Sequence, residues 1–338
     1  MQKLLDDYNK LKKPSARLIE DIKKIDGDII ILGVAGKMGP DMAKLAVAAI
    51  KEAGIEKKVI GVARFSDKKI KDDLELHGVE TIRGDLLDDD LYKALPAVKN
   101  VIYLAGTKFG TQGNEPFTWA MNAYLPSKVA QHFSASRIVA FSTGNVYPLS
   151  PVSGGGLTES DATGPIGEYA QSCLGRERIF EYFSNQNQTP LLIYRLNYAC
   201  DVKYGVLFEI GRAVLEERPI DLNMGFVNVI WQGDANEYAI RSLLHCAVPA
   251  KKMNVTGAET LSVRKIAEGF GDIYNKAPVF KGVEAETALL SNSSECFRLM
   301  GEPGTSLKEM MNIIAEWIKQ GGETLNKPTH FQEREGKF

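Results

Sequence analysis

The chain has 338 residues, 44% of them hydrophobic, so it can bury a full core and carry one large domain plus a smaller one. Its 41 basic and 43 acidic residues are interspersed and give a net charge of −2. No long basic run with interleaved aromatic residues occurs, so we expect no nucleic-acid partner.

The cysteines, the N-terminus and the apolar runs indicate the cellular compartment. The four cysteines are far apart and form no C-x-x-C pair, which argues against a disulfide framework and against a zinc site. The N-terminus has no signal-peptide pattern, and no apolar run approaches the length that spans a membrane. We therefore expect a cytoplasmic protein without a membrane partner.

Residues 1–26 form a predicted helical extension, with a break and a new helix start at Pro14–Ser15. Apolar residues recur along it at helical spacing, and we expect this stripe to pack on the protein's own surface. A subunit contact is the alternative. The stripe consists of Leu4, Tyr8, Leu11, Leu18, Ile22 and Ile25.

Strand-like and helical stretches then alternate, which predicts an α/β fold with a doubly wound parallel sheet of the Rossmann type. The predicted strands are 28–32, 58–63, 100–104, 137–141 and 191–194, and the predicted helices are 38–53, 116–134 and 168–186. After Leu196 the alternation fades, as expected where a smaller lobe begins, although 228–231 and 234–246 are expected to return to the sheet. The predicted dinucleotide domain is 27–197 plus about 226–256, and 198–225 and 257–338 form the substrate lobe and C-terminal tail.

A glycine-rich loop follows the first predicted strand. Residues 28–39 read DIIILGVAGKMG, in which the apolar run is typical of a buried parallel strand. Glycines directly after such a strand let the backbone approach a pyrophosphate, which the N-terminus of the following helix also attracts. The loop therefore predicts a dinucleotide site that includes Gly33, Gly36, Lys37, Met38 and Gly39.

The end of the second strand favours NADP over NAD. An acidic side chain there binds the ribose 2′-hydroxyl of NAD, whereas an arginine pairs with the 2′-phosphate of NADP. This strand ends in Ala63-Arg64-Phe-Ser66 and has no carboxylate, and Lys37 adds positive charge nearby. A solvated surface arginine is the alternative reading of Arg64.

The middle of the chain resembles the extended short-chain dehydrogenase/reductase family, which includes epimerases, dehydratases and reductases of nucleotide sugars. The resemblance lies in Phe141-Ser-Thr-Gly-Asn-Val-Tyr147, followed by Glu159 and by Tyr169-Ala-Gln-Ser-Cys173. It extends over about residues 28–260 and is also carried by Gly33–Gly39, by Gly84-Asp85-Leu86 and by Leu104-Ala-Gly106.

The resemblance implies roles for individual residues. Thr143 would bond the reacting oxygen, Tyr169 would move its proton, and Asn122 would lie beside the nicotinamide while hydride passes between substrate and cofactor. Asp85 would bond the adenine amine. The cofactor set is completed by Arg64, Leu86, Leu104, Ala105, Gly106, Tyr169 and Asn197, and the substrate set is Thr107, Lys108, Asn145, Tyr147, Asn197 and Tyr198.

The chain departs from the family pattern Tyr-x-x-x-Lys, because Cys173 stands at the lysine position. A nearby cation lowers a tyrosine pKa by roughly 1–3 units, so its loss should slow a step that needs tyrosinate by up to about a thousandfold. Reduction should suffer less, because protonated tyrosine is the required species. Two other cations could replace the lysine, but Arg176 lies a full turn further along the helix and Lys128 is a weak substitute. Nothing adjacent activates Cys173 as a nucleophile.

The substrate is less well defined. Arg195-Leu-Asn197-Tyr198 resembles the family's R-x-N-x-Y, but the segment that would clamp a nucleotide is short (222–228), and no arginine lies between Arg218 and Arg241. A smaller polyol, sugar or sugar acid is therefore at least as plausible as a nucleotide sugar. Lys108 is a candidate contact for an anionic group, and an exposed loop lysine is the favoured alternative reading.

The leading hypothesis is an NAD(P)-dependent oxidoreductase or epimerase of a sugar-like substrate. The alternative is a dinucleotide-binding sensor or scaffold that lost efficient catalysis through Cys173; an enzyme whose nicotinamide is purely structural is a third option. By resemblance we expect a homodimer, paired through helices that carry Trp119, Phe133, Phe180 and Phe183.

Overall fold

The structure is a computed structural model that describes residues 2–108 and 110–337. Met1 and Phe338, the outer ends of the predicted extension and tail, lie outside the described residues, as does Phe109.

In the described part of the chain, seven parallel strands form one sheet in the order β7-β6-β5-β4-β1-β2-β3. The strands are β1 (Ile29–Leu32), β2 (Val59–Ala63), β3 (Glu80–Arg83), β4 (Asn100–Tyr103), β5 (Arg137–Thr143), β6 (Leu191–Leu196) and β7 (Lys251–Val255). The strand order reverses between β1 and β4, where a crevice opens at the carboxyl ends of the strands. The predicted Rossmann-type sheet is confirmed.

Helices cover both faces of this sheet and build the smaller lobe. They are α1 (Gln2–Lys10), α2 (Ala16–Lys24), α3 (Gly39–Glu52), α4 (Lys68–Leu76), α5 (Asp89–Ala94), α6 (Glu115–Trp119), α7 (Leu125–His132), α8 (Gly167–Asn187), α9 (Val206–Leu215), α10 (Gln232–Arg241), α11 (Val263–Tyr274), α12 (Ser294–Met300) and α13 (Leu307–Lys319). Short 3₁₀ turns lie at Gly144–Val146, Val152–Gly154 and Ser242–His245. None of the described helices is long and apolar enough to cross a membrane.

The helix predicted over 116–134 is divided into α6, a π-helical turn at Ala120–Tyr124, and α7. Pro126 explains the wider turn, because it has no N–H to donate to the carbonyl of Asn122 four residues earlier. The freed carbonyl of Asn122 instead accepts a hydrogen bond from Arg176 Nε at 3.4 Å. The π turn thus contributes to the site described below.

The smaller lobe is formed mainly by α9, α11 and α13, which pack on one another around a second apolar core. Short strand pairs complete it and join it to the large domain. They are Ile220–Asp221 with Phe280–Lys281, Phe226–Val227 with Leu261–Ser262, Ala199–Cys200 with Ile230–Trp231, and Ser150–Pro151 with Thr287–Ala288. β7 returns from this region to the edge of the main sheet, later in the chain than the predicted return at 228–246.

The N-terminal extension packs on the protein itself, as predicted. Leu18, Ile22 and Ile25 are fully buried in the core of the large domain, where α2 contacts α3 and α10. Leu4 and Tyr8 belong to the core of the smaller lobe, where α1 contacts α13. The two helices therefore bridge both cores.

Candidate active site

The glycine loop lies against the turn that follows β4. Gly33 has φ +84°, and a Cβ atom there would stand 2.8 Å from the backbone nitrogen of Ala105. A Cβ at Gly39 would stand 2.1 Å from the carbonyl oxygen of Val34, so only glycine lets α3 begin this close to β1. Gly36 is exposed, which leaves the loop backbone and the start of α3 open to an anionic group. This arrangement fits a dinucleotide pyrophosphate.

The predicted adenine end lies at the carboxyl ends of β2 and β3. Arg64 is exposed directly after β2, and Asp85 is exposed two residues after β3. One carboxylate oxygen of Asp85 accepts a hydrogen bond from Leu87 N at 3.0 Å, which fixes the loop. Leu86 is buried, and its carbonyl accepts a hydrogen bond from Tyr92.

A cavity of about 250 Å³ connects the glycine loop with the ends of β4, β5 and β6. Twelve of the residues predicted for the site line it: Gly33, Gly36, Lys37, Met38, Gly39, Leu104, Lys108, Thr143, Asn145, Tyr169, Asn197 and Tyr198. Sequence reasoning missed three polar lining residues: Ser142, which precedes Thr143, and Tyr204 and Thr329, which belong to no motif. No described lining residue carries a carboxylate.

Thr143 and Tyr169 form the candidate reacting pair. Thr143 ends β5, and its hydroxyl accepts a hydrogen bond from Asn145 N at 3.2 Å. Tyr169, in the first turn of α8, shares a hydrogen bond with Thr143. Burial, and then the neighbouring Cys173, raise the pKa of Tyr169, while Arg176 and Thr143 oppose that rise. Tyr169 is therefore protonated at neutral pH and can donate to an oxygen that gains negative charge.

Cys173 is fully buried one turn after Tyr169 and hydrogen-bonds its hydroxyl. Burial raises the pKa of the Cys173 thiol, so it stays neutral and is a poor nucleophile. All four cysteines are free.

Arg176 corrects the expectation that the next cation on α8 lies too far away. Its guanidinium is buried and donates to the carbonyl of Phe141 at 2.9 Å and to Asn122 Oδ1 at 2.6 Å. A Cβ at Gly106 would stand 2.4 Å from this guanidinium, so it lies directly beneath the turn after β4. The long side chain thus returns positive charge to the site and acts to lower the pKa of Tyr169.

Asn122 also needs correction, since its side chain is fully buried and does not line the cavity. Its Oδ1 accepts from Thr107 N at 2.9 Å, and its Nδ2 donates to Thr107 O at 2.8 Å and to Ser172 Oγ at 3.0 Å. Asn122 therefore positions the Thr107 backbone and Arg176 rather than contacting the nicotinamide. Thr107 is held by these bonds at the edge of the site.

Tyr147 is a core residue and not the predicted substrate contact. It is 2% exposed, and its hydroxyl donates to Thr158 O and Asn254 Oδ1 and accepts from Arg195 at 2.6 Å. Arg195 in turn forms a buried ion pair with Glu177 of α8. These polar groups satisfy one another inside the protein.

Lys128 does not reach the site. It forms an ion pair with Asp89, and Tyr124 of the same Tyr-x-x-x-Lys string is exposed. The interpretation of that string as coincidental agrees with these positions.

Lys37 and Lys108 both line the cavity. Lys37, in the glycine loop, lies 3.7 Å from the centroid of the Tyr204 ring and 3.5 Å from Ala199 O. Lys108 lies 5.8 Å from the centroid of the Tyr169 ring and donates to Thr329 O at 3.3 Å. Desolvation lowers the pKa of Lys37 to about 7 and that of Lys108 to about 8.

Comparison with protein families decides the identity. The model of the NAD dependent epimerase/dehydratase family matches residues 29–199, just over half of the chain. The chain belongs to this family. It is accordingly an enzyme of the epimerase/dehydratase type that uses a nicotinamide dinucleotide, and the resemblance inferred from its motifs is confirmed. A comparison with curated protein sequences finds no match.

Solved structures share the epimerase/dehydratase fold at low identity. UDP-glucuronic acid 4-epimerase from Bacillus cereus, in complex with UDP-glucuronic acid and NAD, has a TM-score of 0.72 and 17% identity, covering 87% of this chain and 99% of its own. An epimerase from Methanothermobacter thermautotrophicus has a TM-score of 0.72 and 18% identity, with coverages of 90% and 96%. UDP-glucose 4-epimerase from Thermotoga maritima, with UDP-glucose, has a TM-score of 0.69 and 16% identity, with coverages of 87% and 99%.

Proposed function

We propose that this epimerase/dehydratase family member oxidises a carbinol carbon or reduces a carbonyl carbon of a sugar-like substrate, with Tyr169 as the proton carrier. The observation that carries the proposal is the hydrogen bond between Tyr169 and Thr143 in the same cavity as the glycine loop. The similar solved structures, which bind UDP-sugars, support a sugar-like substrate.

The bound nicotinamide would exchange a hydride with the carbinol carbon. Thr143 orients the substrate oxygen by a hydrogen bond. In reduction, that oxygen takes the proton of the Tyr169 hydroxyl as the carbonyl becomes a carbinol; in oxidation, the carbinol O–H gives its proton to the tyrosinate. Because burial favours protonated Tyr169, the site is better prepared for reduction, and Arg176 offsets part of the cost of oxidation.

Substitution of Tyr169 tests this function directly. NADH and NADPH binding is measured by fluorescence, and cofactor oxidation is screened with carbonyl sugars. We expect Tyr169→Phe to bind the dinucleotide normally and to lose turnover, while Tyr182→Phe, an exposed tyrosine of the same helix, keeps both. Cys173→Lys should raise the oxidation rate at neutral pH. Tight binding without turnover in every variant would favour the sensor alternative, which the comparisons do not support.

We also propose that the cofactor is NADP rather than NAD. The basis is Arg64, exposed after β2 with no carboxylate beside it at the strand end, although UDP-glucuronic acid 4-epimerase of Bacillus cereus holds NAD. Arg64→Ala should then weaken NADPH binding and leave NADH binding unchanged, whereas Arg178→Ala, a remote exposed arginine, should change neither. An unaltered NADPH/NADH preference in Arg64→Ala would refute the proposal. Asp85 and Leu86 remain the proposed adenine contacts.

For the quaternary state we propose a cytoplasmic homodimer. Four free cysteines suit a reducing compartment. The helices α6 to α8 keep Phe117, Trp119, Tyr124 and Tyr182 exposed, whereas Phe133 and Phe180 are core residues that cannot form the contact. Light scattering of the intact protein measures its mass directly.

We propose that one lobe binds the dinucleotide and the other encloses the substrate. Residues 27–197 with about 226–256 would bind the dinucleotide, since they contain the sheet and the glycine loop. Residues 198–225 and 257–338 would enclose the substrate, because Tyr198 and Thr329 line the cavity from that side.

A further inference from the structure

The C-terminal segment, residues 323–337, runs along the outer edge of the active-site cavity. Thr329 donates its hydroxyl to Glu209 Oε2 of α9 at 2.7 Å, and its carbonyl accepts the bond from Lys108. The carbonyl of Phe331 accepts from Tyr198 at 3.4 Å, and the Phe331 side chain is 1% exposed in the core of the smaller lobe. The segment is therefore packed on the site by both polar and apolar contacts.

Beyond Phe331 the segment fills the cleft between α8 and the smaller lobe. Arg334 donates to Thr287 O at 2.8 Å and to Asn223 O at 3.0 Å. Gly336 lies so close to the start of α8 that a Cβ there would stand 2.2 Å from Ile166 O. The space left beside Asn145 is about 20 Å³, enough for about one water molecule. A nucleoside does not fit there.

The cavity that contains Tyr169 has a volume of about 250 Å³ and a lining with two lysines. It carries Lys37 and Lys108, and none of its described lining residues is acidic. Lys37 belongs to the glycine loop, so the pyrophosphate of a dinucleotide would meet it first. Lys108 lies 5.8 Å from the centroid of the Tyr169 ring, where it can meet a substrate group.

We propose that the C-terminal segment is a fixed wall of this cavity, and that the substrate is a small anionic sugar derivative, a sugar acid or sugar phosphate, whose anion binds Lys108. The proposal rests on the proposed function, because it takes Tyr169 as the reacting group. The same wall leaves no room for a nucleoside beside Asn145. Lys108 would hold the anion, and a short carbon chain would reach from it to the Tyr169 hydroxyl.

A substrate panel tests the proposal. We assay the wild type, Lys108→Gln and the control Lys93→Gln, in which an exposed lysine of α5 is replaced. The panel contains neutral sugars, sugar acids, sugar phosphates and UDP-sugars, each in its carbinol and its carbonyl form. We expect sugar acids or sugar phosphates to have the highest kcat/KM, and the two arms separate a carboxylate from a phosphate. Lys108→Gln should raise KM at least about tenfold and leave kcat within a few fold. Highest activity on neutral sugars or on UDP-sugars, or no response to any anion, overturns the proposal.

Binding measurements keep this inference distinct from the proposed function. Calorimetry of Tyr169→Phe with the dinucleotide present should still detect the anion, and Lys108→Gln should not. Anion binding that depends on Lys108 without turnover would refute only the proposed reaction. Turnover of neutral sugars that depends on Tyr169 would refute only the anionic substrate.

The wall itself is tested with UDP. Titration of the wild type should give no binding heat and no change in proteolysis of residues 323–337, whereas Arg334→Ala, which loses the bonds to Thr287 and Asn223, should be cleaved faster in this segment even without UDP. Binding of UDP with faster cleavage of this segment would identify a movable gate and overturn the fixed wall.

Discussion

Arg176 takes over part of the role that the resemblance assigns to a lysine at position 173. The guanidinium reaches the site from one turn further along α8, because it passes beneath Gly106 and is held by Phe141 O and Asn122 Oδ1. A charge held there by fixed hydrogen bonds stabilises tyrosinate without any contact with the substrate. Arg176 is thus a positioning and electrostatic residue, whereas Cys173 is a neutral thiol that hydrogen-bonds the Tyr169 hydroxyl.

Replacement of Arg176 should affect oxidation more than reduction. Without its charge the pKa of Tyr169 rises further, so less tyrosinate is present at a given pH. We expect Arg176→Met to slow oxidation at least about tenfold, equivalent to one pKa unit. The pH at which the oxidation rate rises should move to higher values. Arg176→Lys should partly restore the wild-type profile, and Arg178→Met, two residues on and exposed, should match the wild type. An equal loss in oxidation and in reduction would mean that Arg176 is purely structural.

The pKa of Lys108 gives the site a pH dependence of its own. Since desolvation lowers this pKa to about 8, Lys108 loses its positive charge as pH rises through about 8. The KM of an anionic substrate should therefore increase on the alkaline side, and a bound anion should shift this increase to higher pH. Steady-state kinetics between about pH 6 and 10 measure it. Lys108→Gln should have a flat KM profile; the same profile as the wild type would contradict the assignment.

These residues show what the sequence could reveal. Thr143 and Tyr169 were found because motif spacing fixes their places after β5 and at the start of α8. Arg176 was discounted because spacing along a helix does not tell where a long side chain directs its charge. Tyr147 was misassigned because its partner Arg195 comes from a strand 48 residues away.

At the scale of elements, the buried strands were predictable and the edge strands were not. β1 and β4 are fully buried and read as apolar runs, whereas β3 is half exposed and β7 begins with two lysines. The π turn between α6 and α7 was also invisible, although Pro126 marks it in retrospect. The glycine loop was read correctly because strand, glycines and helix follow one another without a gap.

Two glycines of this loop should fail in different ways. Gly39→Ala places a Cβ atom 2.1 Å from Val34 O, so we expect a lower melting temperature and loss of dinucleotide binding. In Gly36→Ala the new Cβ atom meets only Gly33 O at 3.3 Å, so the fold should be kept. Dinucleotide binding should be weaker, because the phosphate needs that surface. Calorimetric melting and cofactor titration separate the two effects. Gly154→Ala, with nothing within 4 Å, is the control; equal stability of all three variants would contradict the packing argument.

At the scale of the whole molecule, α1 and α2 connect the large domain with the smaller lobe, a connection that the sequence does not predict. The apolar stripe was read correctly, but its division between two cores depends on long-range packing that local periodicity does not encode. Among the polar contacts of these helices, Tyr8 of α1 donates to the Asp201 carboxylate at 2.9 Å. Tyr8 also contacts the rings of Trp231 and Trp317, which belong to the core of the smaller lobe.

Removal of the Tyr8 hydroxyl should loosen this joint in a pH-dependent way. Burial raises the pKa of Asp201, so its charged form is costly, and the bond from Tyr8 offsets part of that cost. Tyr8→Phe should then lower the free energy of unfolding by about 1–3 kcal/mol at neutral pH. The loss should shrink as pH falls and Asp201 becomes protonated, because a neutral carboxyl no longer needs the bond. Urea unfolding at several pH values measures this, with exposed Tyr182→Phe as the control; a loss that does not vary with pH would place the effect in ring packing instead.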